Sequence, residues 1–362
     1  GSGLMVYFSV VYILWGVTYT MMDIPYWSMI PAVTDTQKDR ENLSVIGRTC
    51  AGVGSALISM FTMLAVGLLG GGNDVIGFRY VALIVAVIFV ITELICCLFI
   101  RERDEGDMQV ASVKEMFRAL FGNDQALTVV ATIVLINMAL YLTSNFVIYF
   151  FKYDFGGEAW RTSYTYFNMF GGAIQILSMM IFYPLLRKFA SNVKIFYICL
   201  SSAIIGYGVL FAIAFINMSN VFILFIPGFF IFAANGVLQV LTTVFLANTV
   251  DYGDLKNGRR DESVIFSMQT FVVKLASGIA ALVASICLSI NHLQSDTGDT
   301  AEQIYDFSKD VAESSKLGLR MTMTIIPIIG LFVAIFVFKK KFLLTEDKMN
   351  EITSSLQMRN GK

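Results

Sequence analysis

The stretch YILWGVTYTMMDIPYWSMIP, Tyr12 to Pro31, sets an acid, Asp23, and two prolines inside a run otherwise apolar enough to be the middle of a membrane helix. An ionised carboxylate at the bilayer centre is unfavourable by roughly 2.5 to 3.5 kcal/mol on insertion scales. Partners have to offset that. On a helix Tyr19, Asp23 and Trp27 stand i, i+4, i+8, and Thr20 lies three before Asp23, so a phenol, a hydroxyl, a carboxylate and an indole share one face. Acids within spans face the bundle interior or a water-filled cavity. An indole beside a hydrogen-bonding carboxylate then offers a ligand an apolar platform and a hydroxyl acceptor. The plainer alternative is that Asp23 only pairs with a neighbouring helix. Pro25 and Pro31 are read as kink and terminator, not as ligands.

The rest of the chain agrees with a membrane setting. Of its 362 residues, 56% are hydrophobic and 15% charged, with a mean hydropathy of +0.70, far from the soluble average. Runs of about 20 apolar residues, the length that crosses a hydrocarbon core, occur nine times: Leu4 to Ile30, Leu43 to Leu69, Ile76 to Ile100, Gln125 to Phe151, Thr162 to Leu186, Ile195 to Ile216, Val221 to Val250, Val264 to Ile290 and Met321 to Phe338. A barrel would show roughly 10-residue alternating segments instead, so the fold class is an all-α membrane bundle. With the loops assigned alternately to two sides, 18 of the 26 Lys and Arg fall on one side and 6 on the other, while Arg48 and Lys274 lie in or at spans. The positive-inside rule places the richer side, and the C-terminus with it, in the cytoplasm. Nine crossings then put Gly1 outside, which is unusual without a signal peptide or initiator Met, so the start reads as a cut end.

Several classes are excluded. The cysteines Cys50, Cys96, Cys97, Cys199 and Cys287 all lie in apolar runs, where they behave as small hydrophobes rather than as a disulfide framework. No stretch interleaves basic and aromatic residues as nucleic-acid sites do. His292 is the only histidine, and HExxH and GxSxG are absent, which argues against an enzyme; no metal is expected beyond a sodium near Thr20 and Asp23.

A faint internal repeat organises the spans. AVTD at Ala32 to Asp35 leads to SVI at Ser44 to Ile46, and NTVD at Asn248 to Asp251 leads to SVI at Ser263 to Ile265, each across a charged loop on the basic side. Two homologous six-helix halves would give such a same-orientation repeat. If so, the nine spans are helices four to twelve of twelve. The domains are then 1–100, a partial N-terminal half of three helices; 101–124, a cytoplasmic middle loop with an amphipathic helix; 125–338, a C-terminal six-helix half; and 339–362, a cytoplasmic tail. The amphipathic stretches SVKEMFRALF and LTEDKMNEITSSL either lie on the inner membrane face or pack under the bundle.

The quoted first span and loop, with NDQAL at Asn123 to Leu127, VDYGDLKNGRRDES at Val250 to Ser263 and SMQTFVVKLAS at Ser267 to Ser277, resemble the glycoside-pentoside-hexuronide:cation symporters, the melibiose permease-like family. The resemblance runs over essentially the whole chain in order and spacing. It implies a major facilitator fold and symport of a sugar or glycoside with sodium or a proton across a bacterial inner membrane, by a monomer, without a cofactor. The departure is the absence of the family's first three helices, which carry acids important for cation binding. A truncated, non-transporting fragment or scaffold of the same fold therefore stands as the rival reading.

The site residues expected are Tyr19, Asp23, Trp27, Arg48, Thr270 and Lys274 for the substrate, and Thr20, Asp23 and Lys274 for the cation. On the eighth span Ser267, Thr270, Lys274 and Ser277 make one polar face. Arg48 and Lys274 are the candidate partners of Asp23, although Arg48 could instead snorkel to the surface. Two cations and one acid leave a charge over, so a further carboxylate is expected from outside these spans. Asp35, Asp251 and Arg260 are expected to form a cytoplasmic gate, closing the inner side through ion pairs in one state and parting in the other.

Overall fold

The computed structural model describes residues 2–34, 36–71, 73–100, 121–155, 160–215, 220–258, 262–291, 293 and 311–359. The elements there are helices: α1 Ser2–Val33, α2 Gln37–Gly70, α3 Asp74–Phe99, α4 Asp124–Tyr149, α5 Trp160–Leu177, α6 Asn192–Ile213, α7 Val221–Asn257, α8 Glu262–Ile290, α9 Glu313–Lys341 and the shorter α10 Glu346–Arg359. Eight of them, α1 and α3 to α9, are long and apolar enough to cross a membrane, and α2, at 34 residues, covers the remaining expected span. This is an all-helical, multi-pass membrane bundle of the major facilitator kind.

Local chemistry sets the ends. The first turn of a helix leaves backbone N–H groups unpaired, and in four helices a polar side chain takes them up. Thr36 Oγ1 accepts from Asp39 N at 3.1 Å, Asn73 Oδ1 from Val75 N at 3.0 Å, Asn123 Oδ1 from Ala126 N at 2.9 Å and Asn220 Oδ1 from Phe222 N at 2.9 Å. Gly71 (φ 54°) and Gly258 (φ 68°) close α2 and α7 in the left-handed region that glycine enters without a Cβ penalty. Pro31 departs from its expected role: α1 continues two residues beyond it to Val33. A proline removes its own N–H bond but does not stop later residues from donating to earlier carbonyls.

The core sits in α4 to α9. Helix α7 is its axis, with Val240, Leu241, Val244, Leu246 and Ala247 fully buried, and it packs against α4, α5, α6 and α8 and also against α1 and α2. Helix α8 runs along α4 and also meets α1. Helix α3 packs on α2 and exposes apolar side chains along its length, which a hydrocarbon solvent tolerates. Helix α10 buries Met349, Ile352 and Leu356 against Tyr252 and Phe342, so of the two expected placements it adopts the one under the bundle. The other amphipathic stretch, with most of the middle loop, lies outside the described residues.

A close backbone crossing fixes the α5–α7 contact. Helix α5 continues through a π-helical stretch, Ser178–Phe182, and a final turn, Tyr183–Arg187. Where it crosses α7, a Cβ on Gly236 would run into the Gln175 carbonyl oxygen and come within 2.9 Å of Ser178 Cβ. Backbone cannot yield there without moving a helix. Gly236→Ala is expected to destabilise the bundle by about 1 to 3 kcal/mol, the usual range for overpacking, read as a lower Tm in detergent. An unchanged Tm would show that the crossing is not rigid.

Candidate functional site

The expected face of α1 is assembled as the spacing dictates. Asp23 Oδ1 accepts from Trp27 Nε1 at 3.0 Å and, at 3.4 Å, from the Tyr19 hydroxyl. Its other oxygen accepts from Thr270 Oγ1 of α8 at 3.3 Å. The carboxylate thus has three neutral donors, two on its own helix and one across the bundle.

The two cations do something different from the simplest expectation. Lys274 Nζ donates to Thr20 Oγ1 at 2.5 Å and to the Gly16 carbonyl at 3.4 Å, and it lies 5.2 Å from the Tyr19 ring centroid. Arg48 Nε donates to Thr243 Oγ1 of α7 at 2.8 Å, with the guanidinium 3.8 Å from the centroid of the Trp27 ring. Neither forms an ion pair with Asp23 among the described residues. The reason is geometric. Lys274 faces α1 one turn before Asp23, where a carbonyl and a hydroxyl receive it, and the planar guanidinium finds an aromatic face on which to stack. Arg48 does not snorkel, since its acceptor Thr243 is fully buried.

All seven expected residues of this cluster, Tyr19, Thr20, Asp23, Trp27, Arg48, Thr270 and Lys274, therefore come together from α1, α2 and α8. Thr243 of α7, which receives Arg48, is not among the site residues expected from the sequence. Its spacing with Gln239 was visible, but nothing in the sequence says which helix faces it. On α4, Asn137 donates back to the Ile133 carbonyl at 2.8 Å, an interaction within its own helix.

At the basic end a second cluster joins α2 to the later helices. Arg40 Nη1 lies 2.7 Å from Asp251 Oδ2 and donates to Asn248 Oδ1 at 3.0 Å, and both side chains of the ion pair are buried. Glu41 accepts from Arg187 Nε at 2.9 Å and from Asn192 Nδ2 at 2.7 Å. Arg187 also bridges at 3.0 Å to Glu346 of α10, and Arg359 at the far end of α10 pairs with Asp254 at 2.6 Å. Asp251 thus has Arg40 as a cation, whereas Asp35 and Arg260 lie outside the described residues. Sequence reasoning missed Glu41, Arg187 and Glu346, whose only signal was charge next to a span end. At the opposite end Arg320 pairs with the buried Asp154 at 2.6 Å, also unforeseen.

The comparisons with known proteins bear on this geometry. The family described as MFS/sugar transport protein matches residues 1–342. The lactose permease of Lactobacillus delbrueckii subsp. bulgaricus is 25% identical over 99% of this chain and 56% of its own length. The raffinose carrier protein of Pediococcus pentosaceus is 28% identical over 98% of the chain and 54% of its own length. A protein named putative glycoside/cation symporter YagG, from Escherichia coli, is 23% identical over 98% of the chain and 73% of its own. The chain spans little more than half the length of the first two. A helical membrane bundle with a polar cluster on three helices and a family match over 342 residues lead to one statement: this chain belongs to the MFS/sugar transport protein family.

Proposed function

We propose that the chain carries the binding site of a secondary active transporter that moves a glycoside, pentoside or hexuronide inward together with sodium or a proton, by alternating access. The observation that carries this reading is the convergence on Asp23. One carboxylate, an indole, a phenol, two hydroxyls and two cations meet within the spans, where each would be unfavourable without a task or a partner. Asp23 and Trp27 bind sugar, flanked by Tyr19, Arg48 and Thr270. Thr20 and Asp23 offer oxygen ligands to the cation, and Lys274, already on Thr20, couples α8 to that position. The relatives named for lactose, raffinose and a glycoside/cation pair support a sugar and a cation as cargo.

In this reading the basic end is cytoplasmic by the positive-inside rule, the protein works as a monomer in a bacterial inner membrane, and 1–100 and 125–338 belong to opposing halves. The inner gate involves Asp35, Asp251 and Arg260, together with Arg40, whose ion pair with Asp251 spans the two halves. Closure by ion pairs that part on opening is a known repertoire of such transitions.

Two outcomes test it. In proteoliposomes, with uptake of a sugar panel measured with and without a sodium gradient, Asp23→Asn should abolish accumulation while expression stays near the wild-type level, and Trp27→Ala should weaken sugar binding more than cation binding. Wild-type accumulation by Asp23→Asn would overturn the assignment. For the gate, Arg40→Met removes the buried 2.7 Å pair with Asp251 and should destabilise the closed arrangement by roughly 3 kcal/mol, whereas Arg40→Met combined with Asp251→Leu should recover part of that, because removing one partner of a buried pair is the harmful case. Tm values across the double-mutant cycle read this out, and strictly additive losses would contradict a coupled pair.

A further inference from the structure

The face of Trp27 that a sugar would use is covered. Arg48 stacks on it at 3.8 Å, while Trp27 Nε1 is held by Asp23 and Gly47 lies at the far edge of the indole. The hydrogen bond that fixes Arg48 there runs from Nε to Thr243 Oγ1 at 2.8 Å. Thr243 is fully buried and spends its own proton on the Gln239 carbonyl at 3.0 Å, so its hydroxyl is a fixed acceptor that points one lone pair at Arg48. Among the described residues Arg48 has no carboxylate within ion-pair distance, and its two terminal nitrogens have no hydrogen-bond partner. Asp23 adds an attraction from beyond ion-pair distance, but a guanidinium hydrogen-bonded to a neutral hydroxyl and stacked on a π face is held more loosely than one in a bidentate carboxylate pair.

We infer that Thr243 is a positioning residue that parks Arg48 on Trp27, and that sugar binding displaces the guanidinium from the indole. The inference rests on the sugar reading of the Asp23 site. Arg48 belongs to α2 and Thr243 to α7, so the parked state is also a mid-membrane tie between the two groups of helices. A sugar ring that takes the indole face breaks this tie, and the freed guanidinium nitrogens become donors to sugar hydroxyls. Substrate occupancy and loosening of the halves are thereby the same event. An empty transporter keeps the tie. Affinity is correspondingly reduced, because the ligand meets a site whose competent form is only partly populated.

Thr243→Val keeps the shape and removes the acceptor, and Thr243→Ser keeps the acceptor. In a background with Trp15→Phe and Trp160→Phe, acrylamide quenching reports on Trp27 alone. Thr243→Val is expected to raise its quenching constant about two-fold without any sugar, and Thr243→Ser to leave it unchanged. Arg48→Lys, which lacks both the Nε donor and the planar stack, should raise it as Thr243→Val does and serves if the valine variant fails to fold. With lactose and raffinose as probes, Thr243→Val should bind about five-fold more tightly than wild type, the equivalent of one net neutral hydrogen bond. Unchanged quenching in both Thr243→Val and Arg48→Lys overturns the parking, whatever the sugars do. Increased quenching with no binding of either sugar by any variant leaves the parking standing and instead counts against the sugar reading.

Discussion

A carboxylate inside a hydrocarbon-spanning helix must find its hydrogen bonds in the protein, and the arrangement around Asp23 follows from that need. Two donors come from its own helix at the i−4 and i+4 positions and one from Thr270 across the bundle. Because one donor is on α8, satisfying Asp23 also sets how α1 lies against the helices that follow. Lys274, one turn along α8 from Thr270, then meets Thr20 and the Gly16 carbonyl without a separate device. The result is a polar cluster built from hydrogen bonds to neutral groups, with no tight ion pair at its centre. Neutral bonds of this kind are individually weak in membranes. Contacts of that strength can be exchanged for those of a ligand.

The ends of the helices use the opposite chemistry. At the basic end Arg40, Glu41, Asp251, Arg187, Glu346, Asp254 and Arg359 form short ion pairs, with Arg40–Asp251 buried on both sides, that connect α2 to α5, α7 and α10. Arg187 contacts two carboxylates, one on α2 and one on α10. If the α2 contact parts, Arg187 keeps Glu346, so the separation does not strand a half-buried cation. At the other end Arg320 and Asp154 tie α9 to the end of α4 within one group of helices. The bundle is thus joined between its groups by polar contacts at the middle and at one end. Its apolar core lies chiefly within α4 to α9, around α7.

The periodicity of the sequence was enough for much of this. Each apolar run became a helix at the expected place, because length and hydropathy suffice where every backbone group must be satisfied internally. The α1 face of Tyr19, Thr20, Asp23 and Trp27 was legible for a related reason: i, i+3 and i+4 neighbours meet whatever surrounds the helix. Thr270 and Lys274 were legible as one face of α8. Family resemblance in four separate blocks pointed the same way as the match over residues 1–342.

Which faces meet was decided only by the tertiary structure. No spacing rule relates Arg48 to Thr243, 195 positions apart, or Arg40 to Asn248, 208 apart. Charge alone suggested that Arg48 and Lys274 would pair with Asp23, yet a stacking surface and a carbonyl–hydroxyl pair lay closer to hand. The repeat drew attention to its acids and away from Arg40 and Glu41, which lie between the two motifs of the first copy and reach the second half of the chain. Helical periodicity carries information over a few turns. The partner of a long side chain depends on how helices cross, and those crossings are set by small contacts such as Gly236 against the Gln175 carbonyl, which no single segment encodes.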